Sequence, residues 1–382
     1  MSTVAALPAA ARLRRRVGPF LTIALTLMGS LHLYVWSRLV WAADLPTGPM
    51  LGLSALFLAG FGTVALAFGS RVAGRAIPST LASVGFTWLG VVFIGFGASL
   101  FSEPLRWALP EVAQASLAGG TGLGVALLAL YGLVSARAPR TPTVLAPVRG
   151  LDPRLTGFRI VQLSDVHIGP TVSRAFVSRM VAQANAQNPD IIVITGDLVD
   201  GGVEEFAAAA APLADLRAAQ GVYFVTGNHE YYSGIEGWMA YLPTLGIRVL
   251  RNERVRLSKN GAGFDLVGVD DLFGAIAPGH GIDLPKALHG RDTGVPAVLL
   301  AHQPTVVRQA AEHGVALQLS GHTHGGQIFP FNLLVSLVQP WMKGLHRVGD
   351  TWLYVHRGTG YWGPPIRVGA PGEVARIELQ PG

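Results

Sequence analysis

Asp165 and His167, Asp197 and Asp200, Asn228 and His229, then His302, His322 and His324 all follow short apolar runs and sit among turn-forming neighbours. In chain order the runs lead into Ser164-Asp165-Val166-His167, Gly196-Asp197-Leu198-Val199-Asp200, Gly227-Asn228-His229-Glu230, Ala301-His302 and Gly321-His322-Thr323-His324-Gly325-Gly326. Taken singly, each is an ordinary turn former or a loop histidine. Taken together, imidazole, carboxylate and amide oxygen form a ligand set for borderline-hard divalent metals such as Mn, Fe or Zn. A set of this size suffices for two divalent metal ions that share a bridging carboxylate.

The motifs Asp-x-His, Gly-Asp-x-x-Asp, Gly-Asn-His-Glu, a lone His and Gly-His-Thr-His, in this order, resemble the calcineurin-like metallophosphoesterase superfamily over residues 160–326. The tail, from Gly325-Gly326-Gln327 through Tyr354-Val355-His356-Arg357-Gly358-Thr359-Gly360 and Pro365-Ile366-Arg367 to Glu373, resembles the bacterial membrane-associated branch typified by YkuE and YaeI. It departs from that branch at Gly372-Glu373, where Pro-Glu is expected. The resemblance implies a hydrolase of phosphate esters, a phosphodiesterase or a phosphatase, acting through a metal-activated hydroxide. It assigns Asp165, His167 and His324 to a first metal and Asn228, His302 and His322 to a second, with Asp197 bridging. It also places His229 toward the substrate as proton donor and Asp200 behind it as the carboxylate that orients the ring. The ester stays open, because one fold hosts several chemistries.

Positioning these residues requires strands that end side by side. Val- and Ile-rich runs bounded by turn residues predict buried strands at Phe158–Leu163, Ile191–Thr195, Val222–Thr226, Phe264–Val269, Ala297–Leu300, Ala316–Leu319, Trp352–Val355 and Val374–Leu379. Helical stretches fit at Arg174–Asn185, Val203–Ala219, Gly237–Leu245 and Thr305–Glu312. The expected fold class is α/β: a metallophosphoesterase β-sandwich flanked by helices, with active residues at the C-terminal strand ends. Gly325-Gly326 lacks the Lys and helix start of a phosphate loop and predicts a tight turn.

Half of the 382 residues are hydrophobic and 14% are charged, but the distribution is uneven. Apolar segments near Phe20–Trp41, Met50–Gly69, Ile77–Phe101 and Ala115–Ala136 are each long enough to cross a bilayer as a helix. The chain therefore divides into a basic segment 1–17, a four-helix transmembrane region 18–137, a Pro- and Arg-rich linker 138–157 expected to be an extended tether, and a catalytic domain 158–382. Arg12, Arg14, Arg15, Arg16, Arg71, Arg75, Arg137 and Arg140 fall in alternate loops, against Arg38 and Arg106 in the others. The expectation is a multi-pass inner (plasma) membrane protein, for which the positive-inside rule predicts a cytoplasmic catalytic domain.

The net charge of +6 is carried by scattered arginines with no basic patch, which argues against nucleic acid and for the membrane surface as the partner of that charge. The absence of cysteine excludes disulfides and thiolate metal sites. Two expectations compete for the apolar stretch Ile328–Lys343: a buried helix on the sheet, or a surface at the bilayer that admits a lipid-linked phosphate. Outside the motifs, His32, His280, His289, His313 and His346 read as structural or solvent-facing, and His356 as able to approach the site. Two other function classes, an inactive scaffold of the same fold and a membrane sensor or transporter, are disfavoured by the unbroken ligand series and by spans without a buried acid or lysine.

Overall fold

A segment apolar enough for a bilayer must be able to satisfy its own backbone, and here the apolar sequence forms helices. In the computed structural model, which describes residues 9–72 and 77–382, these are α1 (Ala9–Leu39), α2 (Thr47–Val72), α3 (Ser79–Ala108) and α4 (Glu111–Arg137). All carry stretches long and apolar enough to cross a membrane: Pro19–Ala43, Thr47–Ser70, Ser79–Ala108 and Ala113–Arg137. Arg75 lies outside the described residues, and of Arg12, Arg14, Arg15, Arg16 and Arg71 only the helical backbone is described.

Chain contacts divide the protein into two units, and the division falls inside α4: one unit runs to Tyr131 and includes Gly363–Pro365, the other holds Gly132–Trp362 and Ile366–Gly382. Within the first unit, His32 Nε2 accepts from the Trp88 indole at 3.2 Å, so its Nδ1 donates to the Met28 carbonyl at 2.7 Å, the pattern of a neutral structural histidine. Arg38 pairs with Glu103 at 2.7 Å, and the same carboxylate accepts from the Tyr34 hydroxyl at 2.8 Å. Gly85 lets α3 approach the Thr63 carbonyl of α2 so closely that an added Cβ would sit 2.6 Å from it.

The second unit is built from two six-stranded sheets. The first, in spatial order, is β1 (Thr143–Val148), β12 (Ala375–Pro381), β2 (Arg159–Leu163), β3 (Ile191–Thr195), β4 (Val222–Val225) and β5 (Ile247–Val249). The second is β10 (Gly344–Val348), β11 (Thr351–Val355), β9 (Leu317–Ser320), β8 (Ala297–Leu300), β7 (Ala262–Gly268) and β6 (Glu253–Lys259). Because side chains alternate along a strand, Ile191 and Val193 of β3 join Val298 and Leu300 of β8 in the core between the sheets. Ile192 and Ile194 face the opposite way, onto α5 (Arg174–Asn185), α6 (Val203–Ala210) and α8 (Ile235–Tyr241). Ala297 and Leu299 likewise pack outward with α9 (Leu284–Leu288) and α10 (Val307–Glu312).

α5 forms where expected, because Ser173 caps the Phe176 N–H and apolar side chains recur at Phe176, Val177, Met180, Val181 and Ala184. The expected helix over 203–219 stops at Ala210, since Pro212 turns the chain into a short 3-10 helix, Ala211–Asp215. Segment 138–157 is not an extended tether. β1 lies inside it and pairs in parallel with β12, while Val148, Leu151 and Leu155 are buried in the core between the sheets. Pro147 lies within β1, the edge strand of its sheet, where a missing N–H is tolerated, and Pro153 opens the short 3-10 helix that follows. The last turn of α4 also belongs to this unit: Ala136 is fully buried in its core, and the Gly132 carbonyl accepts from the Arg367 N–H at 3.0 Å.

The Phe158 and Phe264 rings meet edge to face at 5.0 Å across the two sheets, both buried. Phe264→Ala should cost about 3–5 kcal/mol of stability. A thermal or denaturant unfolding transition unmoved in this variant, measured on the detergent-solubilised chain, would contradict the inter-sheet core described.

Candidate metal centre

The strands β2, β3 and β4 run parallel in one sheet, and β8 and β9 run parallel in the other. Their C-terminal ends deliver the motif residues to one place. Asp165 and His167 follow β2, Asp197 and Asp200 follow β3, Asn228 and His229 open α7 (Asn228–Tyr232) after β4, His302 follows β8, and His322 and His324 follow β9. Ligand atoms converge in overlapping groups: Asp165 with His167 and His324; Asp197 with His302 and His322; and His167 with Asp197 and His229.

Such convergence bends the backbone out of its comfortable range. Asp165, His167, Asp197, His322 and His324 all have positive φ, between 50° and 73° for Asp197 and His322 and inside those limits for the others. Each left-handed non-glycine residue costs about 1–3 kcal/mol, so the surrounding structure over-determines them. Gly321 and Gly227 make the approach possible: a Cβ on Gly321 would overlap Asp165 Oδ2, and one on Gly227 would overlap Asp197 Oδ1.

Glu230, the last residue of Gly-Asn-His-Glu, secures two of these loops. Fully buried, it accepts from the Gly227 and Asp197 N–H groups at 2.6 and 3.0 Å through one oxygen and from Leu198 N–H at 2.8 Å through the other. The sequence reading gave it no role, although its place in the motif was the available signal. Arg367, also fully buried, reaches His324 from behind, donating to its carbonyl at 3.3 Å and lying 3.2 Å from its Nδ1.

The hydrogen bonds fix most of the rings. Asp200 Oδ1 lies 3.1 Å from His167 Nδ1 and 2.5 Å from His229 Nδ1, so one carboxylate holds two imidazoles and turns both Nε2 atoms inward. His302 Nδ1 donates to the Thr195 carbonyl at 2.8 Å, which leaves its Nε2 facing Asp197 Oδ2 at 3.2 Å. Burial opposes ionisation of Asp197, but the His302 and His229 rings beside it hold its carboxyl well below the usual range. Burial likewise opposes charge on His302 and His229; the Asp197 carboxylate overrides it in both, with Asp200 assisting at His229, whose pKa rises to about 9. His322 is pushed down to about 4, first by burial and then by the charge on His302, and His324 is lowered by burial, His167 and Arg367.

These residues fit two divalent ions. Asp165 Oδ2 and Asn228 Oδ1 are buried with no hydrogen-bond partner, which is costly unless a cation takes the lone pairs. His167 Nε2 lies 3.0 Å from His324 Nε2, and His322 Nδ1 3.2 Å from His302 Nε2, so four ring nitrogens converge where a cation can replace the protons between them. The remaining histidines lie elsewhere. His280 bridges Arg251 and Glu236, His313 and His346 bond nearby carbonyls, and His356 is buried with its Nδ1 accepting from Gly358 N–H, outside the ligand groups found among the described residues. Gly325 and Gly326 form the expected left-handed turn, with Asn332 packed on Gly326.

The calcineurin-like phosphoesterase family model matches residues 158–326. A Danio rerio protein named transmembrane protein with metallophosphoesterase domain is 38% identical, over 94% of this chain and 87% of its own length. The chain belongs to the calcineurin-like phosphoesterase family. Within this family of metal-dependent phosphoesterases, the Bacillus subtilis metallophosphoesterase YkuE is 30% identical over 72% of this chain and 96% of its own. A Helicobacter pylori metallophosphoesterase is 42% identical over 65% of each chain, so about a third of that relative lies outside the match.

Metal binding should displace the proton that Asp197 draws onto His302. Affinity for Mn should then fall as pH drops below the raised His302 pKa, by about tenfold per unit for each proton displaced. Calorimetric titration in buffers of different ionisation enthalpy reads this directly. Binding of Mn with no proton release would show that His302 is already neutral in the free protein.

Proposed function

We propose that this calcineurin-like phosphoesterase is a membrane-anchored enzyme that hydrolyses phosphate esters at a dinuclear metal centre. The observation that supports this most is the place of Asp197: its carboxylate lies between the groups formed by Asp165, His167 and His324 and by His302 and His322, as a bridging ligand must. Asn228 completes the second group with its unpartnered amide oxygen. Bound there, two divalent ions of the Mn, Fe or Zn class would neutralise phosphoryl charge and make water acidic enough to attack phosphorus.

The chain's own residues then handle orientation and the leaving group. His229 gives Nδ1–H to Asp200, so Nε2 faces the site 4.0 Å from Asp197 Oδ2. Held charged by the carboxylates around it, it can donate a proton from Nε2 to the departing oxygen, a contribution of about 10²–10⁴ in rate. Tyr232 and Trp362 flank the His229 ring at 5.3 and 6.3 Å and line the approach. The exposed apolar residues Trp362, Phe329 and Phe331 favour an ester carried on a lipid.

The orientation proposed is cytoplasmic for both the N-terminus and the catalytic domain. The arginine bias supports it, with Arg137 and Arg140 after the last span and the N-terminal Arg12, Arg14, Arg15 and Arg16 set against Arg38 and Arg106 in the alternate loops. A pure scaffold would not need Asp165 Oδ2 and Asn228 Oδ1 buried and unpaired, so the same observation disfavours the inactive reading.

With Mn restored after chelation, the full chain in detergent should hydrolyse p-nitrophenyl phosphate or bis-p-nitrophenyl phosphate, and the preferred ester separates phosphatase from phosphodiesterase action. Asp197→Asn should reduce turnover to background, and His229→Ala should lower kcat by about 10²–10⁴ with little loss of bound metal. Activity that survives Asp197→Asn unchanged would refute the dinuclear reading.

A further inference from the structure

The loop that leaves His324 runs through Gln327 and Ile328 into α11 (Phe331–Val338), Phe-Asn-Leu-Leu-Val-Ser-Leu-Val. Sequence alone favoured burying this helix on the sheet, but none of its residues is buried. Leu337 is 80% exposed, Val338 74% and Leu334 57%, with Phe331 and Phe329 beside them at 46% and 42%. Trp362, 54% exposed, is joined to the same loop by paired hydrogen bonds with the Gln327 side chain, both 3.0 Å. An uncharged helix that turns this much apolar surface outward is an interaction surface and not a stray leucine.

Its occupant is indicated by what holds the loop. Phe329 N–H donates to the Val368 carbonyl at 2.9 Å, and Ile328 bridges Val368 and Gly369. On its other side the same short segment is clamped by the end of α4: Gly132 accepts from Arg367 N–H, and its Cα faces the Ile366 and Val368 side chains. Gly132 lies within the apolar stretch Ala113–Arg137 that is long enough to cross a membrane. The apolar helix is thus secured through one four-residue segment to the final turns of a membrane span. Aromatic and aliphatic side chains at that level belong to the bilayer interface.

We infer that α11, with Phe329 and Trp362, inserts into the bilayer interface, and that the adjoining metal centre takes its substrate, a lipid-borne phosphoester, from that surface. The substrate half of this inference rests on the phosphoesterase reading; the insertion half stands on geometry alone. Trp362 joins the two halves, since its backbone is hydrogen-bonded to Gln327 in the loop that leads to α11 and its ring stands edge to face with His229, centroids 6.3 Å apart.

The cysteine-free chain allows a direct test. Leu337→Cys, labelled with an environment-sensitive nitrobenzoxadiazole probe, is reconstituted as full chain into phosphatidylethanolamine–phosphatidylglycerol vesicles, with Ser258→Cys on exposed β6 as control. Insertion predicts a blue-shifted Leu337 probe quenched by lipids spin-labelled near the headgroup, and an unshifted, unquenched Ser258 probe. An unshifted Leu337 probe overturns the inference, and so does a shifted probe that only soluble self-association explains, unquenched by lipid and dependent on protein concentration. In Leu334→Asp/Leu337→Asp the ratio of hydrolysis of vesicle-borne phospholipid to that of bis-p-nitrophenyl phosphate should fall at least about tenfold. An unchanged ratio overturns the substrate half. Failure of the wild-type chain on every ester, with the probe still inserted, would instead count against the phosphoesterase reading.

Discussion

The Asp197 carboxylate is buried among imidazoles drawn from both sheets, and much of the architecture follows from the need to keep it there as an anion. A lone carboxylate in such a place would be too costly to ionise. Its neighbours supply the compensation: His302 and His229 carry positive character toward it, and its backbone N–H is held by Glu230. The centre therefore concentrates metal-ligating atoms in one place, with ring nitrogens paired face to face and the Asp165 and Asn228 oxygens unpartnered beside them.

A sandwich is well suited to that task. Each sheet alone offers parallel strand ends spaced by the sheet's own repeat, too regular to surround an ion. Two sheets packed face to face bring a second set of loops within reach, so Asp165, Asp197 and Asn228 from one sheet meet His302, His322 and His324 from the other. The left-handed residues at the loop starts are the geometric cost of turning each side chain back over the sandwich edge. The extensive core between Ile160, Val193, Phe264 and Leu300 supplies the rigidity that sustains it.

What the sequence made legible depended on whether the determinants were local. The central strands were readable because burial on both faces leaves continuous apolar runs, and α5 because a capped helix announces its own start. The motif residues were readable because their chemistry is written in their types. β1, β5, β6 and β10 were not foreseen: they are edge or near-edge strands whose half-exposed residues carry no strong pattern, and β1 is marked by prolines that resemble a linker until β12 is placed beside it. The supporting roles of Glu230 and Arg367 depend on partners far away in the chain or on backbone N–H groups, which no local pattern records. α11 stayed between two expectations, since an apolar run in a globular domain is usually buried and no local pattern marks one that is exposed.

The absence of a true linker changes what the anchor is. Because β1 follows α4 after residues 138–142 and completes the sheet through β12, and because Ala136 is itself a core residue, no cut in this region leaves the two-sheet unit intact. Cleavage after Arg137 would strip Ala136 and the Gly132 clamp from the fold, and cleavage after Val148 would lay bare the β12 edge, a template for aggregation. On the proposed membrane-anchored reading, the protein would not be shed from its membrane by proteolysis and remain whole. Turnover would then be governed by lateral diffusion and by the amount of membrane, not by the volume of the compartment.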